Sequence, residues 1–216
     1  MIELIVKAAL AYLLGSVVGS LVVGRLRGGV DIRKLGSGNA GGTNALRTQG
    51  KAFAFWVMLI DIGKGVLAAG PLAATALPGL APTPQWPGWT VAACGVAVIL
   101  GHIYPVWYGF KGGKGVATLI GAVLGASPVL LLPMLAVWLM TAVLSGYVGL
   151  ASMLGALALA VAAAVDGHAS RPLLPFALVS AVLIVFTHRS NIARMFAGTE
   201  PRARRLWLLG ARARSP

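Results

Sequence analysis

The chain has 216 residues, of which 58% are hydrophobic and 11% charged, and a formal net charge of +13. Soluble domains carry roughly 45–50% apolar and about 25% charged residues, so a water-soluble fold of this length could not hide so much apolar surface, and lipid must cover it. The positive charge invites a nucleic-acid reading, but the basic residues stand between apolar runs and leave no soluble segment to carry a groove; no nucleic-acid partner is expected, and anionic lipid heads and phosphate-bearing solutes fit better.

A bilayer core takes roughly 20 apolar residues per helix. Apolar runs fall at 4–24, 52–77, 88–107, 115–126, 129–145, 147–165 and 172–187. The first begins at Leu4 with neither a basic leader nor a small-residue cleavage site, which reads as a retained span. The second contains Asp61 and Lys64. Ionisable groups at depth cost roughly 2.5–3.5 kcal/mol each on insertion scales and face the bundle interior; either these two pair, or Asp61 orients Arg47 or a neighbouring donor. The third is bracketed by Trp86, Trp89, Trp107 and Tyr108, as interfacial aromatics are. Its Cys94 is the sole cysteine, a small core residue that rules out an internal disulfide and a cysteine-built metal cluster. His102, near the end of this run, reads as an orienting group.

The fourth run is short, and Ser127-Pro128 separates it from the fifth. With that break there are seven spans, and without it six. Charge decides between them. Basic residues crowd the segment 25–51 (Arg25, Arg27, Arg33, Lys34, Arg47, Lys51), the turn 109–114 (Lys111, Lys114) and the tail after 187, whereas 78–87 holds four prolines and no charge. Seven spans put every basic segment on one side, as the positive-inside rule requires. The expectation is an all-α membrane protein with seven transmembrane helices, N-terminus outside, C-terminus cytoplasmic, forming one domain over 1–216 with a basic cytoplasmic tail from about 188.

Three of the cytoplasmic segments are unlike ordinary connectors. In Gly36-Ser37-Gly38-Asn39-Ala40-Gly41-Gly42-Thr43-Asn44, glycines free the backbone so that successive N–H groups can ring an anion. Ser37, Asn39, Thr43 and Asn44 add side-chain donors, and Arg47 adds a planar fork suited to phosphate; the plainer reading is a flexible linker. Lys111-Gly112-Gly113-Lys114-Gly115 feeds directly into an apolar helix, a natural anion site, although two topology-setting lysines would look the same. It lacks the spacing and the Ser/Thr of a Walker A loop, so ATP hydrolysis is not expected. In His188-Arg189-Ser190-Asn191, His188 and Asn191 share a face at i, i+3 if the helix continues, or His188 is an interfacial histidine with no task. Five acidic residues leave little room for a general-base pair, so catalysis would rest on positioning and charge stabilisation.

Taken in order, the Gly36–Asn44 segment with Leu46-Arg47, then Gly101-His102 through Pro105, Phe110-Lys111-Gly112-Gly113-Lys114-Gly115-Val116-Ala117-Thr118, and His188-Arg189-Ser190-Asn191-Ile192 with Gly198-Thr199-Glu200, resemble the acyl-phosphate-dependent glycerol-3-phosphate acyltransferases of bacteria. The resemblance covers nearly the whole chain, which like that family lacks a His-x4-Asp motif. It implies a seven-span inner-membrane enzyme of phospholipid biosynthesis, its site facing the cytoplasm, that moves a fatty acyl group from acyl phosphate to the 1-hydroxyl of glycerol 3-phosphate. It also implies substrate and phosphate contacts from Ser37, Thr43, Asn44, Arg47, Gly112, Gly113, Lys114, His188 and Asn191. A further family motif pairs a tyrosine with two serines; Tyr147 and Ser152 match, while Gly149 stands where the first serine usually lies. The catalytic residues expected are Ser37, Arg47, Lys114, His188 and Asn191, with Asn39, Thr43, Asn44, Gly112, Gly113 and Ser152 binding substrate. No metal or soluble cofactor is implied, and the protein is expected to act as a monomer in the bilayer. The rival reading is a transporter for a phosphorylated or other anionic solute, whose site would lie nearer the midplane on broken, repeated helices. For residues 201–216 alone, an anchor on acidic lipid is an equal reading.

Overall fold

The computed structural model describes residues 1–81, 87–165, 172–204 and 206–208; Trp86, His168, Arg205, Arg212 and Arg214 lie outside them. Among the described residues the protein is helical, without strands. The first apolar run forms α1 (Ile2–Gly15) and α2 (Gly19–Leu26), and a short polar helix, α3 (Gly42–Gln49), follows in the first loop. The second run forms α4 (Lys51–Leu67), which continues into a wider π turn over Ala68–Leu72. That turn holds Pro71, whose missing N–H and bulky ring disrupt the regular ladder. Then come α5 (Pro87–Ile103), α6 (Val116–Ala126), α7 (Leu131–Ser145), α8 (Val148–Val165), α9 (Leu173–Thr187) and α10 (Arg189–Phe196).

The Ser127-Pro128 break is present: Ser127 is extended, and Pro128 opens a single 3-10 turn before α7, as the steric clash of a proline with its predecessor dictates. Four helical stretches are long and apolar enough to cross a bilayer, and there are six when the bent pairs α1–α2 and α9–α10 each count as one. The remaining run is α6, whose 11 residues rise only about 16 Å, short of a hydrocarbon core of roughly 30 Å. It starts within the bundle: a Cβ at Gly115 would sit 3.1 Å from Ile99 and 3.4 Å from Ile103 and Ile184.

The first run was expected as one continuous span and is not. It bends by 44° between α1 and α2, leaving backbone groups unpaired in a region without water, where every such group needs an internal partner. The buried Asp61–Lys64 pair supplies those partners. Lys64 Nζ donates to the carbonyls of Gly15 and Val17 at 2.8 and 2.7 Å. Asp61 Oδ1 accepts from Gly19 N–H at 3.0 Å, and the two side chains meet at 2.9 Å. The cation thus caps the negative end of one helix dipole and the anion the positive end of the next. Asp61 pairs with Lys64, as one of the two expectations had it, and its ties run to α2 and His102 rather than to Arg47. A second buried pair, Glu3–Lys7 at 3.0 Å, ties α1 to the end of the π turn through Lys7 Nζ and the carbonyl of Ala73 at 3.0 Å.

Close helix contacts do the rest. α4 packs on α6, α1 on α5 and α7 on α8. At Gly65 and Gly121, and again at Gly15 and Gly101, an added Cβ would strike the facing backbone. Small residues allow this approach, which dispersion needs where lipid offers no hydrophobic drive. Leu132, Val161 and Val182 stay 70%, 64% and 68% exposed, the mark of a lipid-facing surface.

Removing one partner of a buried ion pair costs about 3–5 kcal/mol, whereas replacing both is far milder. Lys64→Met is therefore expected to lower the thermal unfolding temperature in detergent sharply, and Asp61→Asn/Lys64→Met to recover part of the loss. Equal stability of wild type and Lys64→Met would show that the pair does not hold the break.

Candidate active site

One cavity of about 490 Å³ gathers most of the polar side chains singled out in the sequence. Ser37, Asn39, Thr43, Asn44 and Arg47 line it from the first loop and α3, Lys114 from the glycine turn, Ser152 from α8, and His188 and Asn191 from the end of α9 and from α10. The first loop is drawn to the glycine turn by Arg33. Its Nη1 donates to the carbonyls of Tyr108 and Lys111 at 3.2 and 2.8 Å, while Asp31 holds the other edge of the guanidinium at 2.8 Å.

Asn44 shapes the loop. Its Nδ2 donates to the carbonyls of Ile32, Leu35 and Asn39 at 2.9–3.0 Å, and its Oδ1 accepts from Ser37 N–H at 3.0 Å. The amide is fully engaged and only 1% exposed, so the side-chain donor expected of it is already in use. Ser37, Thr43 and Arg47 are left exposed toward the cavity.

Gly112 and Gly113, expected to bind substrate, are not among the residues that line the cavity. Gly113 N–H donates to the carbonyl of His102 at 3.1 Å and Gly112 N–H to that of Ile103 at 3.1 Å. A Cβ on Gly112 would strike the His102 carbonyl, and one on Gly113 the His102 ring. Their smallness lets the turn lie flat on the end of α5, and His102 Nδ1 in turn sits 2.9 Å from Lys64 Nζ. The turn therefore rests on His102, for which the sequence reading favours an orienting role. Beyond it, Gly115 takes a left-handed φ of 88° and starts α6 without a side-chain cap. Gly115, Val116 and Ala117 line the cavity, where the first-turn N–H groups, which lack intrahelical partners, add to the positive field.

The charged centre is a relay that the sequence showed only in part. Lys114 Nζ donates to Asn191 Oδ1. Asn191 Nδ2 donates to Glu200 Oε1 at 2.6 Å, and Glu200 Oε2 receives Arg194 Nε at 2.7 Å. Thr187 Oγ1 fastens the end of α9 to the Lys114 carbonyl at 3.0 Å. Burial pushes the Lys114 ammonium down to about 8; Arg194 adds to the shift, Glu200 opposes it, and Arg189 adds again. His188 Nδ1 lies 2.7 Å from the Ile184 carbonyl. A carbonyl only accepts, so Nδ1 carries the hydrogen, and in the neutral ring Nε2 is left as an acceptor. Ser152 is tied down, its hydroxyl donating to the Val148 carbonyl at 2.9 Å.

Sequence reasoning assigned no role to Glu200 or Arg194 and did not place Asp61 or His102 in this wall, yet all four line the cavity. Glu200 carried a signal, as one of five acidic residues in the chain and set in a stretch dominated by arginine. Gly149, where a serine was expected, also has a structural reason: a Cβ there would lie 2.8 Å from Asn191 Nδ2 and 3.0 Å from its Cβ and Cγ. Asn191 fills the space a side chain would take. Among the described residues no group of His, Cys, Asp and Glu could hold a metal ion.

Residues 5–198 match the profile of the glycerol-3-phosphate acyltransferase family. The glycerol-3-phosphate acyltransferase of Chlorobaculum tepidum is 38% identical over 94% of this chain and 97% of its own length. That of Agrobacterium fabrum is 42% identical over 92% and 91%. The fold resembles the crystal structures of PlsY, an integral membrane glycerol 3-phosphate acyltransferase, in its glycerol 3-phosphate and lysophosphatidic acid forms. Their TM-scores are 0.82 and 0.80, at 37% identity over 92% of this chain and 94% of each.

Because Asn191 bridges Lys114 and Glu200, Gly149→Ala is expected to displace it and weaken hydrogen bonds to charged groups worth about 1.5–3 kcal/mol each. The kcat/KM should fall by about ten- to a hundredfold with little change in unfolding temperature. A wild-type kcat/KM would show that Asn191 can leave this position without cost.

Proposed function

The chain belongs to the glycerol-3-phosphate acyltransferase family, and on that premise we propose that it transfers a fatty acyl group from acyl phosphate to the 1-hydroxyl of sn-glycerol 3-phosphate, giving lysophosphatidic acid and inorganic phosphate. The observation that carries this reading is the convergence of Arg47, Lys114, the start of α6 and His188 on one cavity. Such a cup suits two phosphorylated reactants, and its walls become apolar at Met58, Ile120 and Trp138, where an acyl chain can lie.

Arg47 and Lys114 hold phosphate, with the first-turn N–H groups of α6 beside them. Ser37 and Thr43 bind polar groups of the substrates. His188, through its free Nε2, accepts from a glycerol hydroxyl and aims it. The hydroxyl oxygen attacks the acyl carbonyl carbon, the carbon–oxygen bond to phosphate breaks, and the leaving phosphate takes the hydroxyl proton. Catalysis then rests on orientation and on cations placed where charge moves.

The membrane reading follows the same logic. The whole chain acts as one integral-membrane domain. It crosses the bacterial inner membrane seven times, with its N-terminus outside and the basic segments, cavity and C-terminal tail on the cytoplasmic side; it works as a monomer. The short α6 completes its crossing because the glycine turn before it lies below the membrane face.

Incubating purified protein with glycerol 3-phosphate and either acyl phosphate or acyl-coenzyme A tests the donor. Lysophosphatidic acid is expected only with acyl phosphate, and equal product from the thioester would remove that part of the reading. Lys114→Ala is expected to lose about ten- to over a hundredfold in kcat/KM. Since Lys114 titrates near 8, the free enzyme loses a positive charge as pH rises through that value, and kcat/KM should fall there. Lys114→Arg keeps its charge to far higher pH, so any activity it retains should show no such fall. An alkaline limb persisting in that variant would assign it to another group.

A further inference from the structure

The segment after α10 is part of the cavity wall, for Thr199, Glu200, Pro201 and Ala203 all line it. It is seated on the α7–α8 turn in three ways. Ala203 N–H donates to the Gly146 carbonyl at 2.8 Å. The Arg202 guanidinium lies between two rings, 4.6 Å from the centroid of Tyr147 and 4.1 Å from that of Trp207. Gly146, left-handed at a φ of 75°, leaves room for both partners: a Cβ there would sit 3.0 Å from Trp207 Cγ and 3.1 Å from Arg202 Cβ. Leu206 and Trp207 close the turn with N–H bonds to the Ala203 carbonyl at 2.9 and 3.1 Å.

We propose that Arg202 is a positioning residue for the reaction: clasped between Tyr147 and Trp207, it holds the stretch 199–204 against the α7–α8 turn, so that Glu200 is fixed on Asn191 and Asn191 on Lys114. On its helix side Glu200 is held by α10, for its N–H and that of Thr199 donate to the Arg194 carbonyl at 3.1 and 2.8 Å. Its Oε1 lies 2.6 Å from Asn191 Nδ2, the contact that turns the asparagine oxygen toward Lys114. Arg194 holds the other carboxylate oxygen but belongs to α10, on the near side of the same stretch. Arg202, two residues beyond Glu200, provides the far anchor. A guanidinium stacked on aromatic faces suits this task, since it binds by its plane and needs no acidic partner.

The proposal rests on the reading of Lys114 as a phosphate ligand, and the test separates the two. KM and kcat for glycerol 3-phosphate and for acyl phosphate are measured on full-length protein in detergent, with thermal unfolding alongside. Lys114→Ala identifies the substrate whose KM depends on that ammonium. Arg202→Ala is expected to raise the KM of the same substrate by about three- to tenfold with kcat within about twofold of wild type. Trp207→Ala should reproduce the effect, and Arg202→Lys, which keeps a cation between the rings, should recover most of it. A chain ending at Pro201 provides the same readout should Arg202→Ala fold poorly. Wild-type KM in Arg202→Ala beside a defective Lys114→Ala would remove the coupling alone, as would a rise confined to the other substrate. Wild-type KM values in Lys114→Ala would remove the phosphate reading and this proposal with it.

Discussion

A helix that breaks inside a bilayer must find partners for the groups it frees, and in this protein Asp61 and Lys64 are those partners. The ammonium takes the loose carbonyls of α1, the carboxylate takes the first N–H of α2, and each neutralises the other. The charges are then less a cost of burial than a means of stabilising a bend that hydrocarbon would otherwise forbid. The pair also reaches the site. Lys64 meets the His102 ring, and the Gly112-Gly113 turn lies on His102. The loop that ends in Lys114 therefore rests, through His102, on an ion pair of another helix.

Above that floor the cavity concentrates positive charge. Arg47, Lys114 and Arg194 line it, with Glu200 bonded to Arg194 directly and linked to Lys114 through Asn191, and the start of α6 adds its own field. Burial first, and then the nearby cation Arg194, makes the Lys114 charge costly to hold, which lowers its pKa. An anion in the cavity would pair with that charge and offset its cost. Glu200 moderates this without cancelling it. Both its oxygens are engaged, one by Arg194 and the other by Asn191, so it orients the donor amide rather than competing with substrate for Lys114.

Membership of the membrane class, the apolar runs and the polar segments were legible in the chain because each rests on local chemistry. An apolar stretch between arginines reads the same whatever surrounds it. The Ser127-Pro128 break was legible for that reason, since proline acts on its own predecessor. The break within the first run was not: nothing in residues 16–18 resembles a proline stop, and what stabilises it lies more than forty residues away at Asp61 and Lys64. The packing of Gly112 and Gly113 on His102 was hidden for a related reason. A glycine reads as freedom in a sequence, whereas here it is the absence of a side chain beneath another residue's ring.

By itself, then, the sequence determined that the chain lives in lipid, that phosphate is what its polar segments suit, and which side chains supply the charge. Tertiary structure alone decided that the loop with Arg47, the turn with Lys114 and the tail with Glu200 share one cavity, and that Asn44 serves its own loop while Asn191 links Lys114 to Glu200. Local propensity acts over a few residues along the backbone. The field inside a cavity is a sum over groups far apart in the chain, and no pattern of neighbours encodes it.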